Sequence, residues 1–228
     1  MANANTAGYG CRQAMTVGNT PATGGQSEFV VQGGGSPGAT KAIFKGAPVA
    51  MQTAAGGAGV LGHIQDQTAA LMTDGIVGGN TWAHNTANTN GSLGVFNGAT
   101  FVDANGKPTW TNGLAAAQTS SVDYNTGSNN ITAFVNTNPH QEYTARADAA
   151  VGIASFNTLT NTGYNLNDAG AGVDGQSDCT LDIANTTGTA NYMWKLVRSA
   201  NVTNQNDLTA AGADIIISYN PQANAYLA

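Results

Sequence analysis

Charge is the scarcest property of this chain of 228 residues: 9% of them are Asp, Glu, Lys or Arg, against about 25% in an ordinary soluble domain. Seven Lys and Arg face thirteen Asp and Glu, giving a net charge of −6. Phosphate neutralisation requires clustered cations, and these seven are scattered along the chain, so no nucleic-acid partner is expected. Cysteine is almost absent. Cys11 and Cys179 have no metal-site spacing and, in a reducing compartment, are expected to stay free thiols. Long apolar runs are missing too, since nothing approaches the about 20 residues that cross a bilayer. Met1 to Gly10 has neither the charged nor the apolar region of a signal peptide, so synthesis in a cytoplasm and no membrane partner are expected.

Bulky apolar residues are also few, Leu, Ile, Val and Phe together making 39 of 228. What fills the chain is neutral and small: 30 Gly, 26 Asn and 28 Thr. Glycine loses the most backbone entropy on ordering, so a lone copy has a thin margin of stability that burial against partners would widen. Composition therefore favours a subunit of an assembly. The sequons at Asn90, Asn130, Asn185 and Asn201 are what an Asn- and Thr-rich chain produces by chance.

Along the chain, residues 1–40 read as an extended N-terminal arm, with one strand-like run, Ser27–Val31, before the loop from Gly33 to Gly38. Residues 41–228 read as a β-rich barrel or sandwich domain, with a division into two subdomains near residue 90. Ala42 to Met51 gives a strand, a turn at Gly46 and a second short strand that Pro48 confines to an edge or a strand start. His63 to Thr73 is the single stretch with a helical reading. Short β-branched or aromatic runs follow, each bounded by turn residues: Leu93–Phe96, Thr100–Val102, Ile131–Val135, Tyr143–Arg146, Tyr192–Val197 and Asp214–Tyr219. Alternation places Tyr192, Trp194 and Leu196 on one face with Lys195 on the other. Ile215, Ile216 and Ile217 are apolar on both faces, which predicts a central strand ended by Asn220-Pro221.

Motifs for chemistry are weak. Gly57-Ala58-Gly59-Val60-Leu61-Gly62 has dinucleotide-binding spacing, but its downstream acid, Asp74, opens a glycine-rich segment instead of ending a strand, so a loop is expected. Asp103-Ala104-Asn105-Gly106 starts like a calcium loop, yet Lys107-Pro108 follow where oxygen donors are needed, and a hairpin turn is the expectation. His63, His84 and His140 have no ligand partners at zinc-site spacing, and the acids form no evident pair for proton transfer. No catalytic, cofactor-binding or metal residue is therefore assigned, no cofactor is expected, and the chain is not expected to be an enzyme. Trp82, Trp110 and Trp194, with Tyr9, Tyr124, Tyr143 and Tyr164, fall in or beside the strand runs, which favours packing over a sugar-stacking face.

One ordered set of segments has a counterpart. Gly94 to Trp110, Ala133-Phe134-Val135 with Pro139, Gln141 and Tyr143, Gly175-Gln176-Ser177 leading to Leu181-Asp182, and Trp194–Val197 with Asp214–Asn220 resemble, in the same order, the capsid decoration (cement) proteins of podovirus-like tailed bacteriophages. Gly8-Tyr9-Gly10-Cys11-Arg12 and Lys45-Gly46-Ala47-Pro48-Val49 echo that family's start. Asn136-Thr137-Asn138 stands where acids belong in the pattern, and residues 56–90 have no counterpart. The resemblance implies an antiparallel β-barrel or sandwich, with a β-tulip among the forms it can take, and at most one short helix. It also implies a virion protein on the outer surface of the capsid that bridges major capsid subunits and associates with its own copies as a dimer or trimer. On this reading the arm, about residues 2–40, lies along a partner and orders on binding. A carbohydrate- or receptor-binding β-domain of a phage fibre is the alternative with the same composition.

Overall fold

The computed structural model describes residue 3 and residues 6–17, 20–21, 25–31, 42–51, 63–66, 92–103, 105–115, 131–152, 163–167, 173–187, 194–200 and 206–219. Among the described residues fifteen strands follow in chain order: β1 Arg12–Thr16, β2 Thr20–Pro21, β3 Gln26–Val31, β4 Ile43–Phe44, β5 Pro48–Met51, β6 His63–Asp66, β7 Ser92–Val102 and β8 Pro108–Thr111. The series continues with β9 Gly113–Leu114, β10 Thr132–Asn136, β11 Gln141–Arg146, β12 Gly163–Asn167, β13 Thr180–Thr187, β14 Trp194–Ser199 and β15 Asp214–Tyr219. The fold is mainly β with antiparallel sheets, as the short, turn-bounded runs predict. Among the described strand pairs, β3 beside β6 is parallel, as are the isolated bridges Lys45–Gln176 and Ala147–Leu181.

Two sheets carry the structure. In the six-stranded one the order is β10-β3-β6-β5-β7-β8, and β10 also pairs with β7. That extra pairing joins β3, β6, β5, β7 and β10 into a ring, with β8 attached outside it along β7. The ring encloses Val31, Val49, Leu93, Phe96, Ala99, Ala133 and Val135. In the seven-stranded sheet the order is β13-β12-β14-β15-β11-β1-β2. It curls back on itself, because Leu181 in β13 bridges Ala147 just beyond β11. Inside the curl lie Tyr143, Ala145, Tyr164, Leu166, Leu181, Trp194, Leu196, Ile215, Ile217 and Tyr219. Truncating one of the large buried residues to Ala costs about 2–5 kcal/mol in such packing.

Several elements sit where the sequence puts them. Gly46 takes φ 89° at its turn, a region open to glycine and costly for other residues, and Pro48 begins β5. The Ile215–Ile217 strand is central, between β14 and β11, and Trp194 and Leu196 are buried while Lys195 is only half-buried. Asp103 to Lys107 is a hairpin turn: Asp103 Oδ1 accepts from the backbone N–H of Asn105 and of Lys107.

Three expectations need correction. The described parts of residues 1–40 are not an arm apart from the domain: β1 pairs with β11 and β3 pairs with β10 and β6. Sparse apolar residues made this stretch look peripheral, yet Phe29 and Val31 alternate into the ring, where two apolar side chains suffice for a short strand. Residues 63–66 of the expected helix form β6 instead; the rest of that stretch lies outside the described residues. Leu93–Phe96 and Thr100–Val102 are one strand of 11 residues. Asn97-Gly98, which read as a break, is a β-bulge, since Val135 opposes Phe96 and Phe134 opposes Gly98. The Gly57–Gly62 motif, His84, Trp82, Tyr124, Tyr192 and Asn220-Pro221 lie outside the described residues.

Candidate functional site

Four of the segments singled out by resemblance meet at one seam. Gly10 N–H donates to the Cys179 carbonyl at 3.2 Å, Cys11 N–H to Gly46 O at 2.8 Å, Gly46 N–H to Phe96 O at 2.8 Å and Ser177 N–H to Lys45 O at 2.8 Å. Residues 8–12, 45–49, 94–96 and 175–179 are thus stitched together backbone to backbone where the two sheets meet. Cys11 and Cys179 are both buried there and not joined in a disulfide, and burial pushes the Cys11 thiol up from its ordinary pKa. The Ser177 hydroxyl donates to Cys179 Sγ at 2.7 Å and accepts from the Cys179 N–H at 3.1 Å. These motifs therefore help to hold the fold together.

The substituted turn before Pro139 is also explained locally. Asn138 N–H donates to Asn136 Oδ1 at 3.1 Å and His140 N–H donates to Asn138 Oδ1 at 3.0 Å. Neutral amides make these side-chain turns as acids do, without charge.

The aromatic residues divide. Tyr143, Tyr164 and Trp194 are buried, with Trp194 stacked on Tyr219 at 4.6 Å between ring centres and Tyr143 edge-on to Trp194 at 5.7 Å; for these, packing is the right reading. Trp110 is not. It is 50% exposed and Val102 is 61% exposed. Register puts Trp110 opposite Thr100 and Pro108 opposite Val102, and Phe134 opposite Gly98 and Thr132 opposite Thr100, so all of these share the outer face of the six-stranded sheet. The indole lies across Gly98 and rests against Phe134, with ring centres 5.2 Å apart. Gly98 has φ 133°, and a Cβ there would run into Trp110 Cζ2. The bulge at Asn97-Gly98 thus creates a recess for an exposed aromatic ring. Spacing alone gave no sign of it, because the platform depends on three strands coming into register.

The seven-stranded sheet presents a different outer face. Arg12 opposes Thr144 on β11, which opposes Ile216 on β15, which opposes Arg198 on β14. Next to that row stand Lys195, Ser218 and Glu142, and then Arg146 with Asp214. Arg198 reaches across β15 to Glu142, Nη1 to Oε2 at 2.7 Å, and Arg146 Nε meets Asp214 Oδ1 at 3.0 Å. Tyr9 packs its ring against the guanidiniums of Arg12 and Arg146, at 4.2 and 4.7 Å from its ring centre, and donates its hydroxyl to Asp214 at 3.0 Å. Burial first, then the Asp214 carboxylate, raises the Tyr9 pKa above its usual range. Cations that are scattered in sequence are thus gathered by folding.

Among the described residues no three His, Cys, Asp or Glu side chains come together as a metal-binding group. Comparison with protein-family models, with curated proteins and with solved structures finds no match.

Proposed function

We propose that the chain is a structural virion protein that binds the outer surface of a tailed-phage capsid and cements neighbouring major capsid subunits, with no chemistry of its own. The observation that carries this reading is the Trp110 face. Exposed Trp110 and Val102 beside Pro108 and Phe134 form an apolar patch on the sheet, with Thr100 and Thr132 on the same face. Such a patch, with the exposed Glu28 opposite Phe134 at its margin, is what a protein interface offers. The composition and the ordered set of resembling segments support the same reading. Many copies, each burying modest area, tie a lattice together by multivalent contact, and contacts without charge lose little to salt screening.

The test mixes purified protein with undecorated heads and follows sedimentation. Attachment at a fixed stoichiometry with a raised rupture temperature is expected. Trp110→Ala should weaken attachment by about 2 kcal/mol or more, the cost of a central aromatic anchor, while the melting curve of the free protein stays nearly unchanged. Failure of the wild type to attach refutes the reading. A second reading, a carbohydrate- or receptor-binding module, is favoured by the exposed Trp110 ring itself, since aromatic rings stack on sugar faces. Specific sugar retention by the free protein on a glycan array supports that alternative.

A further inference from the structure

Asparagine followed by glycine occurs four times in the chain, at Asn90, Asn97, Asn105 and Asn112. The pair is chemically labile, because glycine has no side chain to shield its amide nitrogen from the asparagine side-chain carbonyl. Folding decides which pairs can react. Asn90 lies outside the described residues. Asn97 is half-buried in β7, and Gly98 is buried beneath the Trp110 ring. Asn112 and Gly113 are half-buried and held: the Asn112 carbonyl accepts from Lys45 N–H at 2.8 Å, Gly113 N–H donates to Thr111 Oγ1 at 3.2 Å, and a Cβ on Gly113 would lie 2.7 Å from Phe44 Cδ1. Asn105 and Gly106 differ, since both are exposed and nothing lies within 4 Å of where a Gly106 Cβ would stand. One residue, Asp103, keeps this tip closed. Its carbonyl accepts from Gly106 N–H at 2.9 Å, and its Oδ1 accepts from the N–H of Asn105 and of Lys107, each at 2.9 Å. Exposed turn bonds of this kind open locally while the sheets behind them stay folded.

We infer that Asn105 is a site of spontaneous deamidation in the folded protein. When the tip opens, hydroxide takes the proton of the Gly106 amide and the nitrogen attacks Asn105 Cγ. The N–Cγ bond forms, the Cγ–Nδ2 bond breaks, and Nδ2 leaves as ammonia with a proton from water, which restores the hydroxide. Water then opens the cyclic imide. Cleavage at Cγ leaves aspartate, and cleavage at the main-chain carbonyl leaves isoaspartate, in which the backbone runs through the side-chain carbon. The net change is water taken up and ammonia released, with no oxidant or reductant. Isoaspartate lengthens the turn by a main-chain carbon, so the Asp103 carboxylate no longer matches the amides of residues 105 and 107, and a second negative charge stands beside it at the end of the β7–β8 ladder. The chemistry belongs to the chain alone and stands apart from the proposed docking through Trp110.

The test ages the purified full chain in mildly alkaline buffer and maps its peptides by mass spectrometry, with isoaspartyl methyltransferase labelling to tell isoaspartate from aspartate. In the folded protein the Asn105 peptide is expected to convert, with isoaspartate among the products, while Asn97 and Asn112 keep their amides until denaturant is added. Asn105→Gln should remove the labelled product from that peptide. Asp103→Ala takes away the side-chain acceptor of two amides and should speed conversion about tenfold or more, the factor that a hydrogen bond to a charged group represents. Thermal melts establish that each variant is folded, and the wild-type map stands on its own if Asp103→Ala is not. An Asn105 that keeps its amide in the folded protein, Asn97 or Asn112 converting there first, or a folded Asp103→Ala that converts no faster than wild type overturns the inference.

Discussion

Gly98 shows how much a single residue can decide. Its φ of 133° and the indole pressed over it leave no room for a methyl group, so Gly98→Ala should lower stability by roughly 1–3 kcal/mol, the usual cost of overpacking. It should also weaken head attachment, by moving Trp110 off Phe134. A urea melt and the sedimentation assay read the two effects separately. Asp207 gives a pH-dependent case. The Thr209 hydroxyl donates to its Oδ1 at 2.6 Å and, together with further hydrogen bonding, lowers the carboxyl pKa from 3.8 to about 2. A carboxyl that holds its proton less tightly when folded favours the folded state above its unfolded pKa, and that contribution is lost as pH falls from about 4 towards 2. Thr209→Ala should bring the Asp207 pKa back towards 3.8 and flatten the acid-side loss, as followed by NMR titration of the carboxyl.

At the scale of elements, the ion pair across β15 is the sharpest test of packing. Arg198 spans from β14 to β11 and covers Ile216 and Ser218, which are 6% and 5% exposed. Arg198→Ala removes that cover and leaves Glu142 without its cation. A fully buried pair broken this way costs about 3–5 kcal/mol; with Arg198 at 42% exposure, screening reduces it, and about 1–3 kcal/mol is expected in a urea melt. Elements are also where sequence reading succeeded and failed for physical reasons. Strands with alternating or doubled apolar residues, such as Trp194–Ser199 and Asp214–Tyr219, were legible because burial writes a period-2 pattern. Arg12–Thr16 was not, since its side chains stay exposed or half-buried, and Thr180–Thr187 was not, since its two large apolar residues, Leu181 and Ile183, are followed only by small and polar ones. The long β7 was read as two because a bulge and a turn use the same Asn-Gly pair. The outer faces were illegible altogether: Trp110, Gly98 and Phe134, or Arg12, Arg146, Lys195 and Arg198, meet only through register between strands distant in sequence.

For the whole molecule, the opening residues are part of both sheets. β1 lies against β11, β3 links β10 to β6, and the Asn3 side chain hydrogen-bonds the backbone of Asp207 and Ala211 at 2.9–3.0 Å. Deleting residues 1–31 should therefore abolish cooperative unfolding, because the ring of β3, β6, β5, β7 and β10 loses a member and exposes its interior. Circular dichroism and a denaturant melt check this; a folded, cooperative remainder would instead mean that these residues act as a detachable arm. Pro108 has a consequence on the same scale. The Asp103 N–H bond to Lys107 O sets the phase of the β7–β8 ladder, so that Pro108, opposite Val102, turns its nitrogen outward to the margin of the sheet. A ring of nitrogen without hydrogen stands where a stranger's backbone would dock, and copies crowded at high local concentration can lie flank to flank without zipping into a continuous fibre.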